Sequence, residues 1–169
     1  WGYIDKLGKL VIEMNYDDAS DFSEGLAGVN IRSKWGFIDN TGKIIIEPKY
    51  DDAGDFRDGL ARINIGRKKD KVGLWEVGVW ADRGKWGYIG KKGDIVVDPR
   101  FDEASDLKEG LAKVSIENKY GFIDKLGNMI IQPKFDYATD FYEGEALVEI
   151  QGSDYLLEKT GNMRFAEDD

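Results

Sequence analysis

Versions of one stretch, Lys34-Trp35-Gly36-Phe37-Ile38-Asp39-Asn40-Thr41-Gly42-Lys43, return along the whole chain, and this return constrains the fold more than any other feature. Taking the aromatic as the mark, Trp1, Trp35, Trp86, Tyr120 and a worn Tyr155 stand 34, 51, 34 and 35 residues apart. A fixed period in this range is the signature of a repeat array, in which each unit buries its apolar surface only against its neighbours. The copies fall near 1–34, 35–66, 85–119, 120–154 and 155–169, as a single array with an insertion at 67–83.

Within one copy, Trp35 to Ile38 is a short stretch rich in aromatic and β-branched residues, the pattern of a strand. Gly42 supplies the positive φ of a tight reversal, and Ile44-Ile45-Ile46 returns as a second strand. Pro48, Pro99 and Pro133 stand at one repeated place, where a missing amide donor is expected to end the pairing. A loop from Tyr50 to Gly59 follows, pinned by Tyr50 and Phe56, with aspartates suited to accept local amides. Leu60 to Ile65 is the third strand, and in regular copies a turn such as Arg32-Ser33 leads straight into the next copy.

The expected fold is therefore all-β, built of tandem ~34-residue repeats that form three-stranded antiparallel meanders. Ala27, Val29 and Ile31 line one face of their strand, while its neighbours offer apolar side chains to both, so consecutive sheets should stack face to face. An open superhelix is favoured over a closed propeller-like ring. On this reading Trp1, Trp35, Trp86 and Tyr120 fill the spaces between sheets, and Gly2, Gly36, Gly87 and Gly121 make room for an approaching backbone or ring. Trp35→Ala should then cost roughly 3 to 5 kcal/mol.

The recurring residues Lys-Trp-Gly-Phe/Tyr-Ile-Asp-x-x-Gly-Lys, Pro-Lys-Tyr/Phe-Asp-x-Ala and Phe-x-Glu/Asp-Gly-Leu-Ala-x-Val resemble the bacterial WG repeat, also called the KWG repeat. Departures are Tyr120 for Trp, a fifth copy without its Gly, and Glu13-Met14-Asn15 where other copies hold the Pro. The resemblance implies a tandem repeat that binds other molecules, with no general catalytic motif.

Composition narrows the chemistry. The 169 residues contain no cysteine and no histidine, which removes thiol nucleophiles, histidine bases and ordinary zinc or haem sites. No other catalytic constellation is legible, so the chain reads as non-catalytic and needs no cofactor. Acidic residues outnumber basic ones 33 to 24, giving a net charge of −9 spread along the chain, a field that repels nucleic acid. No apolar run approaches the ~18 residues of a membrane span. Zero cysteine fits an exported or cell-surface protein as well as a cytoplasmic one, and oligomeric state is not legible.

Loop carboxylates make Asp17, Asp21, Asp51 and Asp55 the calcium candidates, although their spacing lacks the glycine-punctuated alternation of known calcium loops. Turn-capping is the competing role. The insertion breaks the rhythm once, and it begins basic in an acidic protein. Its Arg67, Lys68, Lys69, Lys71, Trp75, Trp80 and Arg83 are the candidate partner-binding residues, since insertions in repeat arrays map to binding faces and Trp with Arg is a hot-spot pairing. An extended hairpin packed on the array is the alternative. The expected function is a non-catalytic module for protein or cell-surface ligands. An inhibitor or immunity-type protein opposing a basic toxin or enzyme, and an aromatic-lined surface-glycan binder, are the other readings.

Overall fold

A computed structural model describes residues 1–13, 15–69 and 80–166, with the backbone alone described at 68, 69 and 80–82. Every regular element among them is a β-strand, and all the sheets are antiparallel, open and joined in chain order. Sheet I pairs β1 (Tyr3–Ile4) with β2 (Leu10–Ile12). Sheet II runs β3 (Asp18–Ala19), β4 (Leu26–Ile31), β5 (Lys34–Asp39), β6 (Ile44–Tyr50). Sheet III repeats this with β7 (Asp52–Ala53), β8 (Leu60–Lys69), β9 (Trp80–Gly90) and β10 (Ile95–Phe101). Sheet IV follows as β11 (Glu103–Ala104), β12 (Leu111–Ile116), β13 (Lys119–Asp124), β14 (Met129–Phe135), and sheet V as β15 (Tyr137–Ala138), β16 (Glu145–Ile150), β17 (Ser153–Glu158), β18 (Met163–Phe165). None closes into a barrel, and none of the described residues forms a helix long and apolar enough to cross a membrane. By contact density the chain divides into two compact units, Trp1–Pro99 and Arg100–Asp169.

Two local expectations are corrected. Each complete sheet has four strands, because the Asp-x-Ala segment after the proline forms a two-residue edge strand on the strand that follows: Ala19 lies opposite Val29, and Ala53 opposite Ile63. The proline also does not end its strand. Trp35 pairs with Tyr50 and Phe37 with Ile46, so Gly36 alone on β5 faces the three residues Glu47, Pro48 and Lys49 on β6, and Pro48 sits inside this bulge. A bulge leaves ladder positions unpaired, and a residue without an amide hydrogen loses nothing there.

The bulge explains the Gly of the Trp-Gly pair. A Cβ on Gly36 would lie 2.4 Å from the Ile46 carbonyl oxygen and 2.6 Å from the Pro48 nitrogen, and the same contacts recur at Gly87 and Gly121. The neighbour is backbone, so no side-chain rotation can relieve it. Only glycine fits under the bulge.

Apolar side chains cover both faces of sheet II. Ala27, Val29 and Ile38 pack with Ile12 of sheet I. Leu26, Phe37, Ile46 and Tyr50 pack with Phe56 and with Ala61, Ile63 and Ile89 of sheet III. Within the second unit, Phe122, Ile131 and Phe135 of sheet IV meet Phe141, Ala146, Val148 and Leu157 of sheet V. Burying each of these large side chains contributes about 1.5 to 3 kcal/mol, which is what holds successive sheets face to face. The loop aromatic is central to this: Phe56 stands edge-on to Phe37 at 4.9 Å, as Phe141 does to Phe122 at 4.8 Å.

Candidate functional site

The break in the period lies at the turn between the third-strand position of one copy and the first-strand position of the next. In the regular copies this turn is two residues with positive φ: Arg32 and Ser33 (52° and 64°), Glu117 and Asn118 (52° and 61°), Gln151 and Gly152 (52° and 77°). Each is capped by an aspartate 15 residues earlier in the chain. Asp17 accepts from the Arg32 amide at 2.6 Å, and Asp102 and Asp136 accept from the Glu117 and Gln151 amides at 2.8 Å.

In sheet III the same two positions are Gly66 and Gly84, with φ of 93° and 69°. The cap is intact: Asp51 accepts from the Gly66 amide at 2.8 Å and from the Arg67 amide at 3.0 Å. The 17 residues 67–83 are thus spliced between the two turn positions, which keep positive φ and the aspartate cap inside a ladder that continues past them. Beyond it β8 and β9 continue as a hairpin arm, pairing Arg67 with Arg83, Lys68 with Asp82 and, after an irregularity, Lys69 with Trp80. Gly84 is required at the crossing, because a Cβ there would stand 2.3 Å from Asn64 Oδ1 and 2.7 Å from the Ile65 carbonyl. Buried Asn64 donates through Nδ2 to the Arg83 carbonyl at 3.1 Å, tying the arm to its base.

Of the candidate partner-binding residues, Arg67 is half-buried and its guanidinium pairs with Asp52 at 3.2 Å, so it braces the root of the arm. Arg83 is exposed. Lys68, Lys69 and Trp80 lie on the paired strands of the arm, and Lys71 and Trp75 lie outside the described residues.

The repeat aromatics sit differently from the expectation that they fill the sheet interfaces. Trp1 is 64% exposed, and Trp35, Trp86 and Tyr120 are only half-buried; the fully buried rings are the next ones along, Phe37, Tyr88 and Phe122. Trp35 and Phe37 share one face of β5: Phe37 is in the core cluster and Trp35 packs against its rim. Cations cover two of these rims. The Arg62 guanidinium lies 4.8 Å from the Trp86 ring and the Lys113 ammonium 5.5 Å from the Tyr120 ring. Tyr120 also donates to Glu103 at 2.7 Å, and this bond, with burial, pushes its phenol pKa up to about 12.

Two of the calcium candidates have other work. Asp17 and Asp51 cap turns and Asp51 also pairs with Lys34, while Asp21 is exposed and Asp55 half-buried. Burial opposes the charge on Asp51, but Lys34 and the Arg67 and Gly66 amides more than offset it, and its pKa falls below the usual carboxylate range. Among the described residues, no three acidic side chains come together in a metal-ligand set. The caps and the Lys34–Asp51 and Lys119–Asp136 pairs were missed in the sequence because their partners stand 15 and 17 residues apart, beyond any turn or strand period. Their only trace there is an aspartate and a lysine at constant phase in the period.

No curated protein matches the chain. The WG containing repeat matches residues 1–35, 35–68, 86–120 and 120–152, almost end to end. With four tandem matches, the glycine under each proline bulge and a common four-stranded sheet, the chain belongs to the WG-repeat family.

Proposed function

We propose that this is a non-catalytic repeat module that binds a protein partner through the hairpin arm at 67–83. The observation that carries the reading is the pair of capped, positive-φ positions kept beneath the arm. Gly66 and Gly84 keep the regular φ signs and Asp51 keeps its cap, so the sheet is complete without the insertion. Arg67 and Arg83 bond to the scaffold at the root of the arm, and the segment they bracket is available for recognition. Arg67, Lys68, Lys69, Lys71 and Arg83 make the arm basic against a net charge of −9, which favours an acidic face on the partner. A sugar-stacking array is less well supported, since the face of Trp86 is already covered by Arg62.

The test is to excise Arg67 to Arg83 and join Gly66 to Gly84, restoring a two-residue turn. The expected product folds with the same β-rich circular dichroism as the parent, and it fails to bind a partner that the parent captures and that is then confirmed with purified components. Loss of the fold would assign the arm to the scaffold. Undiminished binding would move the site elsewhere.

A further inference from the structure

Each loop before the third-strand position ends in a two-residue turn that places an acidic L-residue in the left-handed region. In the first, Ser23 and Leu26 exchange backbone bonds of 2.8 and 3.0 Å around Glu24 (φ 51°) and Gly25 (φ 86°). Asp58, Glu109 and Glu143 repeat the conformation at 51°, 51° and 52°. Glycine or asparagine would sit there with less strain, so a glutamate calls for a compensating contact.

Glu24 has one. Its Oε2 accepts from the Gly59 amide at 3.1 Å and from the Lys91 ammonium at 3.0 Å, and Lys91 also donates to the Glu24 carbonyl at 3.0 Å. Gly59 lies in the β7–β8 turn and Lys91 in the β9–β10 turn, both at the same end of sheet III, because Leu60 pairs with Gly90. One side chain of sheet II therefore grips two turns of sheet III. The Ser23 hydroxyl adds a third tie, donating to the Phe56 carbonyl at 2.7 Å.

The second unit contains the same device. Glu109 of sheet IV accepts from the Gly144 amide at 3.1 Å and from Lys159 at 2.8 Å, and Lys159 returns a bond to the Glu109 carbonyl at 3.0 Å. Here Lys108 supplies the extra tie, to Asp140 at 3.0 Å. In both glutamates the lysine bond is the main reason the carboxyl pKa lies below its ordinary range.

We infer that the left-handed glutamates are latches: Glu24 locks sheet II to the turn end of sheet III, Glu109 locks sheet IV to that of sheet V, and each compact unit is held in its inter-sheet register by one. The apolar cores supply the attraction between sheets, but apolar contact is non-directional. The latch supplies the direction.

Native-state amide exchange on Glu24→Ala, Glu24→Gln and Lys91→Met tests this. Glu24→Ala is expected to speed exchange of the Gly59 amide about tenfold. It should also speed the Gly90 and Gly93 amides several-fold, although their own acceptors are Asp94 and Gly90. Glu24→Gln, which keeps an acceptor for Gly59, should affect mainly the Gly90 and Gly93 turn, and Lys91→Met should do the same. Gly144 and Gly161 in the other unit should be unmoved by these changes and respond to Glu109→Ala instead. Acceleration confined to Gly59 would overturn the latch, since it would mean the loss of one bond without release of the neighbouring turn.

Discussion

Sheets IV and V belong to the second unit and differ at the place of the repeat glycine. In sheet IV, Val114 lies opposite Gly121, and β14 bulges across that glycine with Pro133 inside the bulge. In sheet V, Val148 lies opposite Tyr155, the ring packs on Phe165 at 4.7 Å, and β17 pairs with β18 through Tyr155–Phe165, Leu156–Arg164 and Leu157–Met163 with no register shift. Where the glycine is lost, the proline and the bulge are lost with it. At Gly36, Gly87 and Gly121, glycine, bulge and proline are one device distributed over two strands.

The most direct way to break this comparison is Gly121→Ala. Its Cβ would meet the Ile131 carbonyl at 2.5 Å, so the bulge must flatten or the strands must part. A loss of about 3 kcal/mol is expected, at the upper end for overpacking, read from urea unfolding. Tyr155→Ala in sheet V should cost less, about 1 to 2 kcal/mol for a half-buried ring. Equal losses would detach the glycine from the bulge.

A smaller effect is expected at the partner position. The register places Asp154, opposite Glu149, where sheet II has Trp35 opposite Asn30, and sheet V forms without an aromatic there. Trp35→Ala is therefore expected to cost about 2 kcal/mol, below the value for a fully buried indole. The same denaturation series measures it, and a loss above 4 kcal/mol would restore Trp35 to the core.

The smallest effect concerns acid. Lys119 of sheet IV pairs with Asp136, which also caps the Gln151 turn of sheet V, and these bonds hold the Asp136 pKa below the ordinary carboxylate range. A group depressed on folding stabilises fully above its unfolded pKa near 4 and loses that contribution as pH falls through the lower folded value. Asp136→Asn should leave the fold less stable at pH 7 and remove part of the decline below pH 4, checked by urea midpoints at pH 7, 4 and 3. An unchanged acid limb would show that other carboxylates carry it.

Much of this was legible before the structure. The period, the hairpin at Gly42, the apolar faces of both signs and the role of Gly36 as room for a neighbour follow from local pattern and propensity. Pro48 was misread because a missing amide normally ends a strand, whereas here it falls in a bulge where no amide is wanted. The mark of the last copy also slipped by one residue, since Tyr155 offers an aromatic while the register assigns its place to the glycine. Two-residue edge strands such as Asp52–Ala53 are too short to carry a period. The turn caps join residues brought together only when the edge strand pairs back within its own sheet, a contact that no local window contains.

The capped turn under the arm has a meaning beyond its own sheet. Arg32-Ser33, Glu117-Asn118 and Gln151-Gly152 share its geometry and its aspartate, so they are equivalent sockets left unused. A scaffold that accepts 17 extra residues at one such place and keeps its aspartate cap should accept insertions at the other three while its core is left alone.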